Sequence, residues 1–223
     1  MTQRRDFLRK ASLLAAGTLA ASPFAAPLGA ESSDAIAQGS WDTSWTSRVT
    51  GRHKMCFDAH EISEGVCLHQ ARSFLQGYKD VYGLGDADLS AVLVIRHAAV
   101  PMVMNDTLWA DGFLGEATEL KDPETGEVAK RNPFVNVPAG ARYALTWPDG
   151  ALDTLISRGV IVLACDLALR NFAGRIAQHR RIPRQDATAL VNANLIPGIY
   201  KMPTGVFATC HAQQLGCGVL NAV

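Results

Sequence analysis

The sequence has no excess of either charge. Its 21 Lys and Arg stand against 21 Asp and Glu in 223 residues. That removes the electrostatic case for nucleic acid or an anionic membrane surface as a partner. Its five cysteines form no Cys-x-x-Cys pair, which excludes a thioredoxin-type dithiol and a zinc ribbon. Cys-x-x-Cys-His is missing too, so covalent haem attachment of the usual kind is excluded. There is no repeat of fixed period. Beyond the first thirty residues no apolar run reaches the roughly 20 residues that a membrane span needs.

What is present begins with an address. Residues 2–10 read TQRRDFLRK, an alanine-rich apolar run follows over 11–26, and small residues lead to Ala30. A charged head, an apolar middle and a small-residue end make a secretory signal. Arg4-Arg5 followed by Phe7-Leu8 resembles the twin-arginine export signal. Pro23 and Pro27 interrupt the run, which counts against a membrane anchor. The expectation is a signal peptide at 1–30, a flexible Ser-rich arm at 31–50, one domain at 51–223 and a periplasmic location. Removing 1–30 takes away four basic residues and one acidic residue, leaving 17 basic and 20 acidic. An exported chain meets an oxidising compartment, where disulfides persist. Five cysteines are an odd number, so at least one stays unpaired within the chain. Two bridges among Cys56, Cys67, Cys210 and Cys217 would leave Cys165 free.

Along the chain, short apolar runs alternate with helical periodicity. Residues 53–57 predict a strand. Residues 66–82 predict a helix, with Leu68, Ala71, Phe74, Leu75 and Tyr78 on one side and Gly83 as its stop. The run 91–95, AVLVI, fits a strand buried on both faces. A helix is expected over 101–114. The stretch 115–145, rich in turn formers and charge, reads as an insertion or long surface loop with room for a small hairpin. Further expectations are a helix over 149–157, a strand over 160–164, helices over 167–179 and 184–193, a strand over 198–202, a helix over 205–215 and a strand over 218–220. The order predicts a three-layer α/β/α sandwich on a mostly parallel five-stranded sheet. Ligands of such sheets bind outside the carboxyl ends of the strands. Asp58, His60, Arg96, His97, Cys165, Asp166 and Pro203-Thr204 fall there.

Cys165 ends one strand and adjoins a helix start. The unpaired N–H groups and the positive dipole end of that helix favour a thiolate. Arg96 and His97, closing the neighbouring strand, would add positive charge. Free cysteine is also among the most buried residue types and serves as a small apolar filler, so both readings stand.

Three segments carry a resemblance: AVLVIRHAAVPMVMNDTLW, RGVIVLACDLALRNFAG and LIPGIYKMPTGVFATCHAQQLGCGVL. In their order they resemble the DsrE/DsrF-like family, including its YchN-type members, over residues 53–220. The resemblance implies a compact α/β/α domain assembled as a homotrimer or homohexamer. It also implies sulfur-relay chemistry, with Cys165 as the persulfide carrier and a sulfur donor or acceptor protein as partner; Arg96 and His97, placed beside it by the strand ends, would stabilise the anion. No cofactor, nucleic acid or membrane contact is expected once the signal is removed. Two other readings remain: an oligomeric binding or assembly protein whose cysteine is structural, and a periplasmic metal-binding protein using Cys56, His60 and Cys67. His69 is also near in sequence, but it is two residues from Cys67 on a helix, so the two would not face each other.

Overall fold

The computed structural model describes residues 41–223; the expected signal at 1–30 and the first half of the expected arm lie outside them. In chain order the elements are β1 (His53–Ala59), α1 (Val66–Tyr82), β2 (Leu89–Ile95), α2 (Asp106–Trp109), α3 (Phe113–Thr118), α4 (Leu152–Ser157), β3 (Ile161–Cys165), α5 (Asp166–Arg180), α6 (Arg184–Ala193), β4 (Ile199–Met202), α7 (Gly205–Gln214) and β5 (Gly218–Asn221). The five strands form one sheet in the order β4-β3-β2-β1-β5, and every pairing is parallel. The fold is a three-layer α/β/α sandwich.

Successive side chains of a strand point to opposite faces, and here they feed two unequal cores. Phe57, Leu93, Val162 and Ala164 join Leu68, Leu75, Leu155 and Val191 in the larger one. Cys56, Val92, Val94, Ile161 and Leu163 join Ala208 and Ala212 of α7 in the smaller one. All seven residues of β2 are buried, as a central parallel strand covered on both faces requires. The helix expected over 66–82 forms with those bounds, and Gly83 ends it at φ +68°. Among the described residues no helix is long and apolar enough to cross a membrane.

The structure corrects three expectations. The arm is not loose where it is described: residues 44–48 form a 3-10 turn, and Trp45 is fully buried in the smaller core, its ring edge-on to His211 at 5.4 Å. One large aromatic side chain outweighs the polar residues around it, since burying it removes 150–250 Å² from water. The single helix expected over 101–114 is three pieces. A 3-10 segment runs from His97 to Val103 and contains Pro101, α2 restarts under an Asn105 side-chain cap, and Gly112 at φ +81° separates it from α3. Within this stretch Trp109 is a core residue, and its Nε1–H donates to Met104 O at 3.2 Å. Finally, 115–145 is only partly a surface loop. Lys121 bridges Val128 in antiparallel sense, the hint of a hairpin, but Ala129, Asn132 and Phe134 are buried. The Asn132 amide donates to Met102 O and Met104 O, both at 2.8 Å, and its Oδ1 accepts from Phe134 N. A buried amide satisfied this fully fastens the segment to the core.

Candidate functional site

A parallel sheet collects its carboxyl ends on one rim. The register pairs Ala59 with Ile95, Ile95 with Ala164, and Cys165 with Met202. Residues that follow these positions therefore converge. Cys165 closes β3 in extended backbone, φ −72° and ψ 108°, and is also the N-cap residue of α5. The expected seam between strand and helix is there, displaced by one residue. Asp166 is turned away from it: its carboxylate holds Arg170 at 2.9 Å and Lys201 at 3.3 Å.

Cys165 is 6 % exposed and lines a cleft of about 690 Å³. One wall is α5, through Leu167, Ala168, Asn171, Phe172 and Arg175. The facing walls are the turn after β1 (Glu61, Ile62, Ser63), the start of the segment after β2 (His97, Ala98) and the end of α3 (Ala117, Thr118, Glu119). Three lining residues that are not glycine hold left-handed backbone: Ser63 at φ +39°, His97 at φ +48° and Glu119 at φ +58°. Such conformations cost about 1–3 kcal/mol each and persist where the surroundings enforce them.

His97 shares the cleft with Cys165, as expected. Arg96 does not line it. Its guanidinium is committed to Asp58 by two hydrogen bonds, Nε to Oδ1 at 2.7 Å and Nη2 to Oδ2 at 2.9 Å. Those bonds hold Arg96 above its ordinary pKa, and a thiolate at Cys165 pulls the same way, so the two groups lie within electrostatic reach. Arg96 fits because residue 205 is glycine: a Cβ there would overlap Arg96 Cβ, Cγ and Cδ.

All five cysteines are unbridged. Cys56 lies in the smaller core and Cys67 in the larger, so the sheet stands between them. That geometry excludes a Cys56–Cys67 bridge and a metal site needing both. Among the described residues no three His, Cys, Asp or Glu side chains converge on a metal position. Burial pushes the Cys56 thiol up to about 12, with Cys217 and Asp58 adding to the shift. Burial pushes Cys67 to about 12 as well, and raises Cys217. Cys210 is exposed on α7.

Arg175, Asn171, Glu61 and Glu119 were not singled out from the sequence. For the first two a signal existed: 168, 171, 172 and 175 follow helical spacing from Cys165 and share one face of α5. For Glu119 there was none, because the path of 115–145 is set by burial of residues far along the chain.

These features define a class: a parallel α/β/α domain with a thiol on the floor of a cleft at its carboxyl rim. No protein-family model, curated protein or solved structure matches the chain.

Proposed function

We propose that the chain is an exported sulfur carrier of the DsrE-like kind, working in the periplasm as a homotrimer or homohexamer, with Cys165 as the acceptor. The observation that supports it best is the position of Cys165: strand end, helix start and cleft floor at once. In the transfer, the Cys165 thiolate attacks the outer sulfur of a persulfide R–S–SH. The bond between the two donor sulfurs breaks, a new one forms to Cys165, and the electron pair leaves with R–S⁻. There is no net oxidation. His97, on the cleft wall, is the proton carrier for the departing thiolate, and the Arg96 charge acts on the anion through space.

The test is mass spectrometry after incubation with a sulfane donor. An adduct of about 32 Da, one sulfur, is expected on the native protein and not on Cys165→Ser. A second reading has its own observation in the low exposure of Cys165 beside Ala168 and Phe172: a binding protein whose thiol is structural. No adduct from any donor would establish that reading over the first.

A further inference from the structure

The cleft is longer than sulfur transfer alone requires, and its far end is charged. The α5 axis rises about 1.5 Å per residue. Helical side chains lean toward the N-terminus, and the Arg175 guanidinium carbon rests 4.7 Å above the Phe172 ring and 5.8 Å from Phe113. The guanidinium thus sits near the level of residue 172, about 10 Å along the axis from Cys165. Stacking on the two rings orients it. Among the described residues it has neither a carboxylate nor a hydrogen-bond partner, so its N–H fork is unspent. Across the cleft Glu119 also has no ion-pair partner among the described residues, and the one partner of Glu61 is the His60 imidazole at 3.9 Å. Between these charges the lining is largely apolar: Ile62, Ala98, Ala117, Leu167, Ala168 and Phe172.

We infer that the cleft takes its sulfur from a zwitterionic peptide persulfide two to three residues long. The peptide carboxylate meets Arg175, its ammonium meets Glu61 and Glu119, and its sulfane sulfur lies at Cys165. From the outer sulfur of a cysteine persulfide, through one further residue, to the terminal carboxylate an extended chain spans about 8–10 Å, comparable with the rise along α5 between Cys165 and the Arg175 guanidinium. An inorganic polysulfide or a single amino acid persulfide reaches one end only. The volume of about 690 Å³ falls in the range of small-molecule sites. The inference rests on the sulfur-carrier reading and adds the donor.

The experiment compares the rate of sulfur loading of Cys165 from three donors at equal sulfane concentration: glutathione persulfide, cysteine persulfide and inorganic tetrasulfide. It is read by mass spectrometry on the native protein, on Arg175→Gln and on Glu119→Gln. The expected result is a glutathione-to-inorganic rate ratio at least about 10-fold above the cysteine-to-inorganic ratio in the native protein, since one charge-assisted contact is of that size. Arg175→Gln should bring the glutathione ratio down to the cysteine ratio, and Glu119→Gln should lower it in part. Arg175 is exposed, so its loss leaves the core intact. Equal ratios in the native protein, or a glutathione ratio untouched by Arg175→Gln, overturn the donor assignment while the carrier reading stands. Failure of all three donors to load Cys165 overturns both.

Discussion

Cys56 and Cys165 lie on β1 and β3, the two strands that flank β2, and their surroundings are opposite. Cys56 is mid-strand, pressed under α7 and Trp45 in the smaller core, with its thiol raised to about 12 by burial. Cys165 ends its strand, opens a 15-residue helix and borders the cleft. The same side chain in the same sheet is packing material at one position and a candidate nucleophile at the other. What separates them is distance from the carboxyl rim: inside the sheet each strand residue is flanked by other strands, while past its end it meets helix termini and solvent.

The sharpest way to break that contrast is alkylation of the native protein. At pH 8 a thiol raised to about 12 is thiolate in only about one molecule in ten thousand. Cys56 and Cys67 should therefore label at least about 1,000-fold more slowly than the same residues in denaturant, whereas Cys210 labels at once and Cys165 labels through the cleft. Peptide mapping reads all four; fast native labelling of Cys56 would erase the distinction. The sign of the pH effect follows. A thiol near 9 when unfolded and near 12 when folded supports the fold fully below pH 9. That support is lost as pH rises toward 12, so the unfolding midpoint should fall across this window.

Smaller in effect is removal of the lid on the inner thiol. Trp45→Ala should cost about 3–5 kcal/mol in denaturant unfolding and bring native labelling of Cys56 closer to its denatured rate, with little change at Cys165. If the unfolding midpoint does not move, Trp45 is not the anchor that its burial implies. The smallest effect is expected at the rim. Gly205→Ala forces Arg96 off Asp58, an ion pair whose side chains are 18 % and 16 % exposed. The expected loss is about 1–3 kcal/mol, together with slower sulfur loading of Cys165 as the guanidinium moves. Stability equal to the native protein would mean that Arg96 repacks freely.

The layered fold was legible because its signals are local. β2 is an unbroken apolar run, α1 has a glycine stop, and 184–193 carries helical spacing from end to end. The segment 101–114 was misread because its apolar residues follow helical spacing even though Pro101, the Asn105 cap and left-handed Gly112 divide it. Of the candidate site, Cys165 and His97 were readable, since a strand's end marks the rim. The remainder was not. Glu119 reaches the cleft because Ala129, Asn132 and Phe134 pull a long connection inward, a result of packing that no neighbouring residue announces. Arg96 was read as a free charge at the rim, whereas its partner Asp58 is 38 positions earlier in the chain.

The register carries one more consequence. Because β3 sits between two parallel neighbours, deleting any one residue within 161–164 would reverse which face every earlier or later side chain of that strand meets. It would also draw the sulfur one step back from the opening. The placement of the thiol is thus fixed by counting along a ribbon, so insertions and deletions here are more damaging than exchanges of one aliphatic residue for another.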